Sequence, residues 1–342
     1  MFRKRTVMTS ALALATVAAT AGILASTSSG GSVAQRTIAL VRGTDSGFYD
    51  DVQRGAETAS AALGDRLVVR ATDDTRSAID ALVAQHVDAI AVDPGERGSG
   101  SVLNGSSFDQ ARAAGIGTLW YRNPGNGTSI WVNLSSATEF AHALGDRLAA
   151  QMGGKGLYGI VPCRPANPIV QTWLRAVKAY MPARYPHMKR VAIVYGNDAG
   201  DAAETAMFAH FIKKHRRLRG LIVLCPTEAF VVPHAITQAR QVGKVFASGN
   251  GGDHAYAPVD PQLAKYVRSG AEELVSAGDP VKLGYLTVWA ADHLASGQTF
   301  APGQYDVGGP VGTVSDYAAN HELRLGQTLT ITKDNIDQYA GG

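Results

Sequence analysis

The sequence predicts an α/β protein with two doubly wound parallel-sheet domains and a ligand cleft between them. The chain has 342 residues, which is more than a single hydrophobic core usually serves. Short apolar runs alternate with segments of helical spacing, and this alternation indicates βαβ units in a parallel sheet. The alternation begins again near residue 138, so two similar units follow each other along the chain.

The first unit has the pattern β-α-β-α-β. Its first predicted strand, Thr37–Val41, is continuously apolar, as expected for a strand that is buried on both faces. A helix with one apolar face is predicted over Phe48–Leu63. The remaining strands are predicted at Leu67–Val69, Asp88–Val92, Gly117–Tyr121 and Ser129–Val132, and the remaining helices at Ser77–Gln85 and Phe108–Ala114.

The second unit repeats this pattern from a helix at Thr138–Met152 and a strand at Leu157–Val161. Further helices are predicted at Val170–Tyr180, Ala202–His215, His234–Gln241, Gln262–Arg268 and Val281–Ala295. Further strands are predicted at Val191–Val194, Leu221–Leu224, Lys244–Ala247, Leu274–Ser276 and Gln327–Thr332. We expect a first domain of residues 35–132 plus 280–305, and a second domain of residues 133–279 plus 306–342.

The first 34 residues have the features of a signal peptide. The basic residues Arg3, Lys4 and Arg5 precede an apolar run over Val7–Ala25, and Ser32-Val33-Ala34 is a typical signal-peptidase site. An uncleaved membrane anchor is the alternative, but the run is rich in Ala and Thr and makes a poor spanning helix. No cysteine lies near the cleavage site, so a lipoprotein is not expected. The mature protein is predicted to begin near Gln35 and to be soluble, in the periplasm or secreted.

Composition and motifs argue against nucleic-acid binding and against catalysis. The formal net charge is +3, and Arg3, Lys4 and Arg5 contribute part of it, so no strong basic bias and no nucleic-acid partner are predicted. The sequence has no G-x-S-x-G elbow and no H-E-x-x-H metal motif. We therefore expect a non-enzyme without cofactor or metal.

The fold class predicts where a ligand would bind. In open α/β sheets, ligands bind outside the carboxyl ends of the strands. Two such domains that face each other form a cleft at these ends, and closure of the domains around a ligand is the expected motion.

Several stretches together resemble a known family. They include Ile38–Val41 with Gly47-Phe48-Tyr49, the run Ala84–Pro94, Gly153-Gly154-Lys155-Gly156, Val194–Ala199 and Asp334–Tyr339. In order and spacing they resemble the ribose-type periplasmic binding proteins, and more closely the branch that binds rhamnose and autoinducers. The resemblance runs from about Arg36 to the end of the chain. It implies a monomeric protein that binds a solute and performs no chemistry.

The resemblance implies a set of ligand-binding positions at the cleft. The positions are Arg42, Phe48, Tyr49, Tyr121, Arg122, Asn123, Asn167, Glu228, Ala229, Asn250, Asp253 and Asp279. The stretch Tyr121-Arg122-Asn123 departs from the family, which usually has an acidic cluster there. Arginine and amide groups bond sugar hydroxyls in pairs, and aromatic rings pack on the C–H face of a sugar.

Other roles remain open for several of these residues. Arg42 could pair with a nearby carboxylate, and Phe48 and Tyr49 could belong to the apolar core face of the first helix. Tyr121, Arg122 and Asn123 could form an exposed hinge loop. Asp279 precedes Pro280 and has the sequence of a helix N-cap, which needs no ligand.

The resemblance predicts the extracytoplasmic solute-binding component of an ABC importer, with a permease as partner and a sugar or sugar-like ligand. Two alternatives stay open: a sensory module that presents its ligand to a membrane receptor, and an exported α/β enzyme. The cations Arg42 and Arg122 leave a sugar acid open as the ligand.

The only two cysteines, Cys163 and Cys225, follow the first and third predicted strands of the second unit. These strands are neighbours in the strand order 2-1-3-4-5. Neighbouring strands are about 4.8 Å apart, within the Cα range of a disulfide, and an exported protein meets an oxidising environment. We expect the two sulfurs to lie near each other and treat the disulfide as a hypothesis.

Overall fold

The computed structural model describes residues 35–44, 46–93, 106–122, 130–162, 168–196, 200–256, 258–317 and 321–340. The predicted signal peptide, residues 1–34, lies outside the described residues. Within them, no helix has the length and apolar character needed to cross a bilayer.

A first sheet is built mainly from the amino-terminal part of the chain. Its strands are β1 Thr37–Arg42, β2 Arg66–Ala71, β3 Ala89–Val92, β4 Gly117–Tyr121, β5 Trp131–Asn133, β11 Gly303–Gly308, β12 Gly312–Tyr317 and β13 Glu322–Arg324. Their order is β11-β12-β13-β5-β4-β3-β1-β2. The strands from β2 to β13 are parallel, whereas β11 and β12 run antiparallel to their neighbours.

Helices cover both faces of this sheet, which explains why its central strands β1, β3 and β4 are largely apolar. One face carries α1 Ser46–Leu63 and α9 Pro280–Ala295, and the other carries α2 Thr75–Ala84 and α3 Ser106–Ala113. Two glycines let α1 and α9 approach backbone to backbone. A Cβ on Gly284 would lie 1.8 Å from the Val52 carbonyl oxygen, and one on Gly55 would lie 1.8 Å from that of Val281.

A second sheet is built from the carboxyl-terminal part of the chain. Its strands are β6 Gly156–Val161, β7 Met188–Ile193, β8 Leu218–Val223, β9 Phe246–Asn250, β10 Glu272–Ser276 and β14 Leu329–Ile331. They lie in the order β14-β10-β9-β8-β6-β7, and β14 alone is antiparallel to its neighbour. The first five strands of the second domain have the predicted order 2-1-3-4-5, and those of the first domain have the same order, so the doubly wound α/β fold is confirmed.

The helices of the second domain also lie on two faces. They are α4 Ala137–Met152, α5 Pro168–Arg184, α6 Asp201–Lys214, α7 Glu228–Gln238 and α8 Pro261–Ser269. The first two share a core, and the other three pack on the opposite face. Ser136 and Glu139 form a reciprocal capping box at the start of α4, and Gly153 ends that helix in the left-handed conformation, with φ 67°.

Strands β12 and β13, and the second half of β11, fall in a different sheet from the one expected. Residues 306–342 were assigned to the second domain, but β11, β12 and β13 extend the first sheet as far as Arg324. The physical reason is the open edge of β5, along which β13 pairs in parallel from Glu322 to Arg324. The chain then crosses to the second sheet through residues 325–328.

Two boundaries also differ from the sequence-based ones. Helix α7 begins at Glu228, six residues before the predicted start. The prediction was late because Pro233 usually ends a helix, whereas here it lies inside one. Strand β7 begins at Met188, three residues before the predicted start. It is an edge strand, and its exposed Lys189 and Arg190 interrupt the apolar run by which a strand is recognised in the sequence.

Candidate functional site

The carboxyl edge of the first sheet carries a buried charged pair. Asp93 directly follows β3 and Arg122 directly follows β4, which is the neighbouring strand. The Asp93 side chain is 0% exposed, and its Oδ2 lies 3.1 Å from the Arg122 Nε. The same oxygen accepts a hydrogen bond of 2.9 Å from the Tyr49 hydroxyl. The neighbouring strand ends thus place one carboxylate, one guanidinium and one phenol together.

Two aromatic rings of α1 pack against the Arg122 guanidinium. Its central carbon lies 5.0 Å from the ring centroid of Phe48 and 5.4 Å from that of Tyr49. Both distances suit a cation–π contact. Arg122 has φ 62°, a left-handed conformation that is unfavourable for a side chain with a Cβ and is maintained only by its surroundings. The contacts to Asp93 and the two rings supply these surroundings.

The second domain reaches this cluster through Tyr256. This residue follows a short 3-10 helix at Gly252–Ala255, and its ring centroid lies 5.4 Å from that of Phe48. Tyr256 is buried and belongs to the same apolar core as Phe48 and Tyr49. The cluster therefore contains groups from both domains, as a cleft between them requires.

Two predicted residues of the first domain bond inside that domain. Arg42 donates from Nε to Gln53 Oε1 at 3.0 Å and pairs through Nη2 with Asp50 at 3.2 Å. Tyr121 is fully buried, and its hydroxyl donates to the Val41 carbonyl oxygen at 3.2 Å. Burial raises the pKa of Tyr121 well above its usual value, and the Asp93 carboxylate adds to this. Tyr121 thus lies beneath the cluster instead of on its surface.

In the second domain, the structure places the predicted residues at the ends of β8 and β9. Asn250 donates to the Leu224 carbonyl oxygen at 2.9 Å and accepts from the Gly252 amide at 2.9 Å, so backbone groups occupy both ends of its side chain. Glu228 accepts a 2.6 Å hydrogen bond from the Thr227 hydroxyl at the start of α7. Ala229 is fully buried behind it.

Glu228 has a second carboxylate beside it. A Cβ built on Gly196 would lie 2.6 Å from Glu228 Oε1 and 3.1 Å from Glu204 Oε1, so both side chains converge on the backbone after β7. Both glutamates are buried.

Asp279 forms the N-cap of α9. Its Oδ1 accepts hydrogen bonds from the Val281 amide at 2.9 Å and the Lys282 amide at 3.5 Å. Both Asp279 and Lys282 line a cavity of about 130 Å³ beside the crossover at residues 325–328. The N-cap alternative is confirmed, while ligand contact by Asp279 stays a prediction.

Four predicted positions cannot be placed in full. Asn123, Asn167 and Cys163 lie outside the described residues, as does the side chain of Asp253. Cys225 follows β8, contacts the Thr227 hydroxyl at 3.3 Å and is disulfide-bonded. Strands β6 and β8 are neighbours, as predicted. The pairing of Cys225 with Cys163 stays a prediction.

Sequence reasoning missed three residues of the candidate site: Asp93, Tyr256 and Glu204. A signal for Asp93 exists, since it is a polar residue directly after a buried parallel strand, where the carboxyl-edge rule expects ligand contacts. Tyr256 and Glu204 carry no such signal. One lies in a loop after a 3-10 helix, and the other lies within a helix.

Aromatic surface beside a fixed charge pair is typical of sites for small polar molecules. The rings of Phe48, Tyr49 and Tyr256 are buried in this structure, and Asp93, which accepts from the Tyr49 hydroxyl, orients Arg122. The geometry favours reversible binding of a polar molecule with an apolar face.

Comparison with known proteins is consistent with this fold. The family model described as "Periplasmic binding protein domain" matches residues 38–299. A search of curated proteins finds no match. Among solved structures, a sugar ABC transporter protein from Actinomyces odontolyticus has a TM-score of 0.75 at 20% identity, over 89% of this chain and 97% of that one.

Two further solved structures have the same fold. A solute-binding protein from Clostridium phytofermentas, determined with L-rhamnose, has a TM-score of 0.61 at 19% identity, over 90% of this chain and 98% of that one. A periplasmic ribose ABC transporter protein from Conexibacter woesei has a TM-score of 0.66 at 16% identity, over 90% and 95%. With the family model covering most of its length, the chain belongs to the periplasmic binding protein domain family.

Proposed function

We propose that this protein is the extracytoplasmic solute-binding component of an ABC importer, and that it binds a sugar or sugar-like molecule by domain closure. The observation that carries the proposal is the cluster of Phe48, Tyr49, Asp93, Arg122 and Tyr256, which joins the two domains at the carboxyl edge of the first sheet.

The chemistry of this cluster suits a sugar. The rings of Phe48 and Tyr256 can cover the C–H face of a pyranose or furanose, and charged groups can bond adjacent hydroxyls in pairs. Because the Asp93 carboxylate already neutralises Arg122, the pair favours a neutral ligand over a sugar acid. Solved relatives of the same fold carry L-rhamnose, D-allose and D-arabinose in their descriptions.

The importer role rests on the family and on the predicted export. Several of the similar structures are described as ABC transporter solute-binding proteins. A signal peptide over residues 1–34 would deliver the mature chain to the outer side of the membrane, where such a protein meets its permease. Binding and release require no chemistry, so no catalytic group is needed.

A ligand screen tests the proposal. The chain from Gln35 is expected to show a rise in melting temperature with one neutral monosaccharide, because a ligand at a hundredfold its dissociation constant stabilises the folded state by roughly 2.7 kcal/mol. Phe48→Ala and Arg122→Gln are expected to weaken binding of that sugar at least tenfold in calorimetry. Arg112→Gln, an exposed residue of α3 that pairs with Asp109, is the matched control and is expected to bind normally.

Two results would contradict the proposal. One is the absence of any shift across neutral monosaccharides, sugar acids and polyols. The other is an unchanged affinity in both cluster variants, which would place the ligand elsewhere. Turnover of the bound sugar would instead support an exported enzyme, and sugar uptake that persists in cells without this protein would favour a sensory module.

A further inference from the structure

The second domain gathers basic side chains at the edge of its sheet that is opposite the candidate site. Eleven exposed lysines and arginines lie in or beside the four connections that lead into β6, β7, β8 and β9. They are Lys155, Arg184, Lys189, Arg190, Lys213, Lys214, Arg216, Arg217, Arg219, Arg240 and Lys244. We call this group the basic pole.

The topology explains the clustering. Strands β9, β8, β6 and β7 are consecutive neighbours and mutually parallel, so the connections that precede them all reach the same amino edge of the sheet. Neighbouring strands are about 4.8 Å apart, which is well within the Debye length of about 8 Å at physiological salt, so these charges act together. A hydrogen bond of 3.1 Å from Arg219 Nε to the Lys244 carbonyl oxygen joins two of the connections.

The four connections themselves contain no acidic residue that would offset these cations. The stretches 153–156, 184–191, 213–219 and 239–245 contain no Asp or Glu. Among the described residues, none of the eleven side chains takes part in an ion pair, while Arg36, Arg42, Arg122, Arg147 and Arg324 elsewhere all do. Without the eleven, the chain holds 21 Lys and Arg against 29 Asp and Glu. The near-neutral composition therefore conceals a strong separation of charge.

Apolar side chains are exposed at the same place. Val191 is 36% exposed and Val242 is 38% exposed, and these are the two large hydrophobic residues found exposed in the described part of the chain. Val191 follows Arg190 in the edge strand β7, and Val242 lies between Arg240 and Lys244. Basic charge combined with a few exposed apolar side chains is the composition of surfaces that bind anionic bilayers.

We propose that the basic pole docks the protein on the anionic phospholipid surface of the membrane. Charge complementarity supports a lipid surface, since phosphate headgroups form an extended negative layer that many dispersed cations contact at once. A single-stranded nucleic acid would need a platform of aromatic side chains for base stacking, whereas the two large hydrophobic side chains that the described part of the pole exposes, Val191 and Val242, are aliphatic. Docking at this edge leaves the carboxyl edges of both sheets free to take up a ligand, including that of the first sheet with Phe48 and Arg122.

Vesicle co-sedimentation tests the proposal. The protein used is the chain from Gln35 to Gly342, which forms a compact unit of its own and omits the apolar run near the amino terminus. It is expected to bind vesicles of phosphatidylcholine with about 30% phosphatidylglycerol, and not vesicles of phosphatidylcholine alone. Binding is expected to fall steeply as salt rises from about 0.05 M to 0.5 M.

Charge variants identify the surface. In the variant Lys213→Gln, Arg216→Gln, Arg217→Gln, each lost charge is expected to weaken binding about fivefold, so the three together weaken it roughly 100-fold. The control is Arg54→Gln, Arg76→Gln, Arg112→Gln, which removes three exposed cations from the first domain and is expected to bind vesicles normally. Val242→Ser is expected to weaken binding a few-fold without changing its salt dependence.

The proposal fails if anionic vesicles bind the protein no better than neutral ones. If the protein then binds a DNA duplex at the same salt, the pole is a nucleic-acid surface instead. It also fails if the control variant loses as much binding as the pole variant. Melting temperature and sugar titration of both triple variants keep the test independent of folding and of the proposed ligand, because neither substitution touches the cleft.

Discussion

Asp93 in the first domain and Glu272 in the second are both fully buried carboxyl groups, but their surroundings differ. Asp93 lies at the carboxyl edge of its sheet, where Tyr49 and Arg122 contact it. Glu272 begins β10 at the opposite edge of its sheet, and neither of its oxygens has a hydrogen-bond partner in the described structure. Burial alone raises the pKa of Glu272 well above its usual value.

The difference teaches that burial of a carboxyl group does not by itself mark a binding site. Asp93 has partners from two other elements, and together they fix the orientation of a cation. Glu272 packs its carboxyl group against Gly249, where a Cβ would lie 2.1 Å from its Oε1. Asp93 therefore fixes the positions of its neighbours, whereas Glu272 is buried in the core without a hydrogen bond.

The largest expected effect is at Asp93. Asp93→Ala leaves the 12%-exposed Arg122 side chain without its carboxylate partner, and losing one member of a buried pair typically costs about 3–5 kcal/mol of unfolding free energy. Urea denaturation measures this, with Asp109→Ala of the exposed pair on α3 as control, for which less than about 1 kcal/mol is expected. Equal losses in the two variants would mean that Asp93 is no organising group.

At Glu272, a substitution is expected to raise the free energy of unfolding instead of lowering it. Glu272→Met removes an unsatisfied buried polar group while keeping a similar volume, so the variant is expected to be more stable by roughly 1–3 kcal/mol at pH 8. Because its pKa is raised in the folded state, wild-type stability falls as the pH rises above the ordinary range of a glutamic acid. The gain should therefore be smaller at pH 5 than at pH 8, and a variant that is less stable than wild type at pH 8 would reveal a hidden partner for Glu272.

An intermediate case is Asp65, which shares the Arg36 guanidinium with Asp292. Arg36 lies 3.8 Å from Asp65 and 2.5 Å from Asp292, while Asp65 Oδ2 is buried without a hydrogen-bond partner. Burial, together with the Asp292 charge, raises the pKa of Asp65 from 3.8 to about 6. Its ionisation thus destabilises the fold as the pH rises from about 4 to 6.

Asp65→Asn is expected to flatten the stability profile between pH 4 and 7 and to gain on the order of 1 kcal/mol at pH 7. Denaturation midpoints at several pH values measure this, and Asp80→Asn, at an exposed position of α2, serves as control. A profile as steep as that of wild type would assign the slope to other groups.

Much of the fold followed from local patterns. The apolar runs at Thr37–Arg42 and Gly117–Tyr121 are strands because they are buried on both faces, and such strands have a clear signal. The edge strand β11 lacked this signal because most of its positions are exposed, and the buried strand β13 lacked it because two of its three residues, Glu322 and Arg324, are charged. The start of α7 was missed because Pro233, which usually ends a helix, lies inside this one.

The candidate site was only partly predictable. Phe48, Tyr49 and Arg122 were expected at the cleft, and they lie together in the structure. Arg42 and Asn250 were also expected there, but their hydrogen bonds go to groups within their own domain. Residue type and strand position indicate which side chains reach an edge, whereas the identity of their partners depends on elements far away in the chain.

The sequence by itself determined the two α/β units and, in the second unit, the neighbouring positions of the first and third strands, because burial periodicity and the handedness of βαβ connections are local properties. It also predicts the edge at which a ligand would bind. Only the tertiary structure decided that Asp93 meets Arg122, that Tyr256 reaches Phe48, and that eleven scattered cations share one pole. These contacts depend on how parallel strands bring distant segments to a common edge of the sheet. Neither the composition nor the order of residues along the chain shows which of those segments meet in space.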